Sequence, residues 1–247
     1  MGKFAHNTSF FTAAIPAERT RERSARAVPA ATSPYALFWL FVIASVIGLL
    51  VETIVSYPID GVWKDRAGLV WGPFSPIYGV GAVLMTLAVG RLKDASPLRV
   101  FLSCAVVGAG FEFIAGWFFK HAFGIVAWDY SSQPFNLCGH TCLGIAICWG
   151  VLGLLWAKAF LPFALKLIAR IPESVRTLAT TGLALFLAVD VAATLVAFDC
   201  WYERLGGEAP DTPVEQYFEA NFGNDFMAER FQTMSLYPEI ASLQEGR

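Results

Sequence analysis

The sequence predicts an all-α fold, a polytopic bundle of about five transmembrane helices. Three observations carry that expectation. Of the 247 residues, 56% are hydrophobic and only 15% charged, with a mean hydropathy of +0.53; a soluble domain carries roughly 25% charged residues. The charges are also segregated, leaving apolar runs of about 20 residues, enough at 1.5 Å rise to cross a hydrocarbon core of roughly 30 Å. Finally, the basic residues gather between alternate runs, as they do on cytoplasmic loops.

Residues 1–34 contain "AERTRERSARAVPAATSP", a basic, Pro-terminated stretch that reads as a flexible cytoplasmic arm. It serves as a topology signal, or in addition as a contact for anionic lipid. The transmembrane domain occupies 35–200, with spans at about 35–56, 76–90, 100–119, 141–157 and 177–198. The first is too long for a signal-peptide core and is read as an anchor. The second is short unless the preceding "GLVWGPFS" also enters the membrane. In that segment Pro73, Pro76, Gly72 and Gly79 suit either a re-entrant, broken-helix entrance or a Pro-rich helix start with interfacial aromatics. The apolar run at about 159–171 carries Pro162, Lys166 and Arg170 and reads as an interfacial helix.

With the N-terminus in the cytoplasm, the inner segments hold Arg19, Arg21, Arg23 and Arg26, then Arg91, Lys93 and Arg99, then Lys158, Lys166, Arg170 and Arg176. An N-in, C-out arrangement in the cell membrane follows. Residues 201–247 form an acidic, aromatic extracytoplasmic tail. Within it "DTPVEQYFEANFG" predicts a helix capped by Thr212, with Pro213 at its first position and Glu215 completing a capping box.

Three carboxylates fall inside the spans: Glu52, Glu112 and Asp190. A carboxylate at bilayer depth costs about 2.5–3.5 kcal/mol on insertion scales, so such groups face protein and find partners. Gly48, Glu52 and Ser56 share one helical stripe, and so do Gly108, Glu112 and Gly116. Small residues beside each glutamate let a second helix come close. Both glutamate helices lead into loops that open with Trp followed closely by Asp, "WKDRAGLVWGP" and "WDYSSQPFNLCG", which suggests a parallel repeat of two helical hairpins. Arg66 is the cation nearest both glutamates. The cluster is either an ionic lock that fixes packing or an outward-facing polar site for a small ligand. Asp190 is a further proton or ion site, or a residue bonded to a neighbouring span. In the second loop Asp129, Tyr130 and Asn136 offer dense hydrogen bonding, so the loop reads as an ordered lid over the two glutamates.

Cys138, His140 and Cys142 alternate, a spacing unlike the common zinc motifs, and no metal is expected. The five cysteines form no CxxC; Cys138, Cys142 and Cys200 lie where a disulfide is permitted, with free thiols the preferred reading. No cofactor and no nucleic acid is implied. Three function classes stay open: a transport subunit, a membrane-embedded enzyme using Glu52 or Glu112 as general base on a lipid headgroup or envelope precursor, and an assembly protein. No GxSxG, HExxH or GxxxxGK[ST] motif occurs, so the chain carries no recognisable hydrolase site and any ATPase must be a separate chain.

"SVIGLLVE", "DRAGLVWGP", "GPFSPIYGVGAV", "WDYSSQPFNLCGHTCL" and "CWGVLGLL" occur in order from about Leu37 to Pro172. Together they resemble the bacterial membrane proteins called putative ABC-transporter type IV, or CmpB-like. Where that family tends to place an arginine after the loop glycine, this chain has His140. The resemblance implies a permease-like subunit in contact with membrane lipid, a separate ATPase docking near Lys166 and Arg170, and a homo-oligomer to complete a permease core.

Overall fold

A computed structural model describes residues 28–66, 68–92 and 95–236. Most of the arm expected at 1–34, and the tail beyond 236, lie outside the described residues. The described residues form a bundle of helices with one two-residue strand pair. Among them four helices are long and apolar enough to cross a membrane, in agreement with an all-α membrane bundle.

Helix α1, Pro34–Asp60, starts where Ser33 accepts from the Ala36 amide (3.3 Å) and Pro34 pre-sets the first turn. It ends at Gly61, whose φ of 71° only glycine adopts freely. After an irregular loop, α2 covers Pro76–Gly90. Its 15 residues reach only about 22 Å, less than a hydrocarbon core. The segment before it supplies further depth: Leu69 and Val70 are buried, and the Ser75 amide donates to the Ser45 carbonyl of α1 (3.2 Å). This non-helical backbone is therefore tied to protein, as lipid would demand.

Helix α3, Pro97–Phe123, stops at Gly124 and runs into β1, Ile125–Val126. The second loop then leads to α4, Leu143–Leu155. Here the structure departs from the expected interfacial helix. A π-turn, Trp156–Phe160, joins α4 directly to α5, Leu161–Ile168, so that Leu143–Ile168 forms one continuous apolar element. The reason is Pro162, which cannot donate an amide and clashes with the preceding turn in a regular helix. The wider turn, closed by the Leu161 amide on the Trp156 carbonyl, absorbs that clash without breaking the rod. Helix α6, Glu173–Leu205, is the longest.

Two short helices follow, α7 (Pro213–Asn221) and α8 (Asn224–Arg230). At α7 Thr212 Oγ1 accepts from the Glu215 amide (3.2 Å), while the Glu215 carboxylate accepts from the Asp211 amide (2.9 Å) and the Thr212 hydroxyl (2.7 Å). The box predicted from sequence forms, shifted by one residue on its return bond. Strand β2, Ser235–Leu236, pairs antiparallel with β1. Val70, Ile125, Phe198, Trp201, Phe222, Met227 and Phe231 make one apolar core, so the first loop, β1, the end of α6 and the tail pack as a unit. All five cysteines are free.

Helices α1 and α2 form one closely packed pair and α3 and α4 another. Glycine makes both approaches possible. A Cβ at Gly48 would run into the Tyr78 ring, and one at Gly108 into the Trp149 ring. By contrast Gly110, on the same helix as Gly108, has open space around it. Gly108→Ala is expected to lower stability by about 1–3 kcal/mol through overpacking. Gly110→Ala should be neutral or raise it by about 0.5–1 kcal/mol through helix propensity. Thermal unfolding of both variants in detergent checks the contrast.

Candidate functional site

Glu52 lies on α1, one turn beyond Gly48. Its Oε1 accepts from Arg66 Nη1 (2.8 Å) in the first loop and its Oε2 from the Tyr78 hydroxyl (2.7 Å) on α2. Glu112 lies on α3, one turn beyond Gly108, and is buried. Its Oε1 accepts from the Tyr130 hydroxyl (2.9 Å) in the second loop and its Oε2 from Trp149 Nε1 (2.6 Å) on α4. Each glutamate thus takes one donor from the loop that follows and one from the returning helix. In both cases the ring that carries the helix donor sits against the glycine one turn before the glutamate.

The two halves share one cavity of about 420 Å³. Glu52, Arg66, Tyr78, Glu112, Trp128, Tyr130 and Trp149 all line it, together with Thr233 and Met234 from the tail. Among the expected site residues the fold brings together Glu52, Arg66, Glu112 and Tyr130. Arg66 pairs with Glu52, and among the described residues the hydrogen-bond partners of Glu112 are neutral. Burial, and then the charge and hydrogen bond of Glu112, push the Tyr130 hydroxyl above its ordinary range, which keeps it a donor at any physiological pH.

Asp129 and Asn136 stay out of the cavity and build the loop instead. Asp129 accepts from the Ser131 amide (2.8 Å) and hydroxyl (3.0 Å), which hold its carboxyl below the usual range. Asn136 Nδ2 donates to the carbonyls of Ser131 (2.9 Å) and Gln133 (3.0 Å), and its Oδ1 accepts from the Gly139 amide (3.2 Å). Together with Trp128 Nε1 on the His140 carbonyl (2.8 Å) and Tyr130 N on the Gly139 carbonyl (2.8 Å), these bonds fix the loop as one compact unit. Tyr130 is thereby aimed at Glu112.

Asp190 belongs to another place. It is fully buried on α6; its Oδ1 accepts from the Trp71 amide (3.1 Å), and Thr194 one turn on accepts from the Val70 amide (3.0 Å). These two side chains anchor the first loop. Lys166 and Arg170 are exposed at the far end of the Leu143–Ile168 element. Lys166 lies fourteen positions after Leu152 of the cavity wall, about 21 Å along a helix.

Tyr78, Trp149 and Arg230 were not singled out from sequence. Tyr78 and Trp149 do carry a signal: they lie in the motif-bearing stretches "SPIYGVG" and "CWGVLG", and a buried carboxylate requires donors at its own depth. Arg230 carries none. At the end of α8 it donates Nε to the Leu69 carbonyl (2.9 Å), Nη1 to Asp65 Oδ2 (2.8 Å) and Nη2 to the Gly72 carbonyl. Gln232 Oε1 accepts from the Asp65 amide (3.2 Å). Residues 230–236 therefore clamp the first loop, wall the cavity and pair with β1 beside the second loop.

Helices of this length and apolarity define a membrane protein of the helical-bundle class. The chain belongs to the family described as putative ABC-transporter type IV, whose model matches residues 39–195. The match runs through most of α6, further than the resemblance in sequence reached, and leaves the tail outside. It makes this a transport-related membrane protein. No curated protein matches the chain, and no solved structure does.

Two outcomes follow from this geometry. Arg230→Ala should raise hydrogen exchange of the amides at 65, 66 and 68–72 at least ten-fold, with α3 and α4 unchanged; the lost bonds are worth about 1.5–3 kcal/mol where a charged group is involved. His140 is buried, and burial pushes its pKa below the ordinary value, with Lys120 and His121 adding to the shift. The unfolded chain then takes the proton first, so stability is full above about pH 6.5 and falls as the pH drops towards the folded value. Melting temperature should decline between pH 7 and pH 5, by about 2–4 °C per kcal/mol of linkage, and His140→Gln should flatten that decline.

Proposed function

We propose that the chain is a permease-like subunit of the cell membrane that holds a small polar solute in the cavity between Glu52 and Glu112, with both loops and the tail on the extracytoplasmic side. The observation that carries this is the shared cavity itself: Glu52, Arg66, Glu112 and Tyr130 come from four separate segments and line one space. The segregation of basic residues supports the orientation, since Arg91, Lys158, Lys166, Arg170 and Arg176 fall on the opposite side from the loops. An ATPase subunit would dock there, at Lys166 and Arg170, about 21 Å along the helix from the nearest part of the cavity wall on that element. Membrane lipid surrounds the apolar helices, and a second copy of the chain would complete the permease core.

A hydrolytic site is less well supported by the same geometry. Among the described residues both oxygens of each glutamate already accept from Arg, Tyr or Trp, and no serine, cysteine or lysine bonds to either. Neither carboxylate is paired with a nucleophile it could activate.

The full chain should be purified from native membranes in mild detergent and its co-purifying proteins identified by mass spectrometry. A nucleotide-binding subunit is expected, reduced at least ten-fold by Lys166→Glu with Arg170→Glu and unaffected by Glu112→Gln. Turnover of lipid by the isolated chain, with no ATPase captured, would replace the permease assignment with an enzymatic one.

A further inference from the structure

We propose that the cavity selects an organic cation with a weakly hydrated ammonium head, methylated above all, over anions and neutral polar solutes; this rests on the binding role proposed for the cavity above. Charge is the first ground. The wall holds two carboxylates and one guanidinium, and the guanidinium is committed to Glu52 at 2.8 Å. Glu112 is 8% exposed and, among the described residues, is held only by the neutral donors Tyr130 and Trp149. When ionised, a buried carboxylate that accepts from neutral groups at both oxygens carries a negative charge with no cationic partner among the described residues. A cation in the cavity supplies it. An anion there meets repulsion, and a neutral solute leaves the charge without a counter-charge.

The second ground is what the aromatic side chains have left to offer. Tyr78, Trp128, Tyr130 and Trp149 line the cavity, and the polar end of each is spent on protein: Tyr78 on Glu52 (2.7 Å), Trp128 on the His140 carbonyl (2.8 Å), Tyr130 and Trp149 on Glu112. Their ring bodies remain. Rings beside a carboxylate attract a cation through their quadrupole, and do so best when the cation sheds water easily. Sugars and other hydroxylated solutes need free donors as well as acceptors, and the donors of these four side chains are already used. A small hard cation needs six or more oxygen ligands, and no three metal-ligating side chains cluster among the described residues. The volume, about 420 Å³, suits a small organic molecule. The ammonium could belong to a free solute or to a lipid headgroup.

The test is equilibrium binding to the purified full chain, by calorimetry and tryptophan fluorescence at constant ionic strength. The probes are tetramethylammonium and choline, with 3,3-dimethylbutanol as neutral isostere of choline, and acetate and glucose as controls. Both cations should saturate, with the isostere at least ten-fold weaker. Glu112→Gln should weaken cation binding at least ten-fold, and Trp128→Leu, which keeps apolar bulk but removes the ring, about three- to ten-fold. Should either variant fail to fold, the ranking of probes on the natural chain still decides. Saturation by acetate, glucose or the isostere at equal or higher affinity overturns the cation assignment while leaving a binding cavity. Failure of every probe to saturate also overturns it, and the capture experiment above then judges the permease role separately. Native mass spectrometry distinguishes the sources: an ammonium-headed lipid displaced by tetramethylammonium points to a headgroup, and a bare protein that takes up tetramethylammonium points to a free solute.

Discussion

A carboxylate within an apolar bundle must be given hydrogen-bond donors, and the rest of this structure follows from how Glu112 gets them. Trp149 reaches Glu112 Oε2 at 2.6 Å only because α4 lies close against α3, and that approach exists because Gly108 has no side chain to meet the indole. The second donor, Tyr130, comes from a loop, so the loop must hold one conformation. That explains why Asp129, Asn136 and Gly139 spend their hydrogen bonds inside the loop. Helix packing, loop order and the polar wall of the cavity are one solution to the solvation of one charge.

Glu52 is solved by the same plan with different parts. Gly48 admits Tyr78 as Gly108 admits Trp149, and Arg66 reaches back from its loop as Tyr130 does. The first loop is less self-sufficient, however. Its amides at Val70 and Trp71 lean on Thr194 and Asp190 of α6, and its carbonyls at Leu69 and Gly72 on Arg230 of the tail. Residues matched by the family supply both glutamates and the anchors at Asp190 and Thr194, while the Arg230 part of the clamp lies beyond residue 195. The tail thus helps to order the half of the cavity whose own loop cannot do so alone.

How much of this was legible in the sequence depended on the range of the interaction. Spans, caps and the small-residue stripes beside Glu52 and Glu112 are local patterns, visible within a few turns of sequence. The Arg66–Glu52 contact was also within reach, because one cation near two carboxylates leaves few choices. The sequence puts Arg66 near both glutamates but does not say that neutral donors serve Glu112. Asp129 and Asn136 read as ligand groups since their polarity is visible and their targets, backbone groups five residues away or fewer, are not. Pro162 marked a break by the ordinary rule, and only a π-turn let the helix pass it. Arg230 acts across more than 150 residues, with no periodicity to betray it.

The difference between the two glutamates bears on the binding role proposed for the cluster. An ionic lock needs a cation for each anion, as Arg66 provides for Glu52, and its value lies in fixing helix positions. That explanation covers one half of the site only. Glu112 is the more deeply buried of the two and has the weaker counter-charge, an arrangement that packing alone does not call for, since an apolar pair at that depth would hold α3 to α4 more cheaply. A buried charge left uncompensated beside an open cavity is a cost that a bound cation removes. The asymmetry therefore argues for a ligand, and the sign of the missing charge argues for its class.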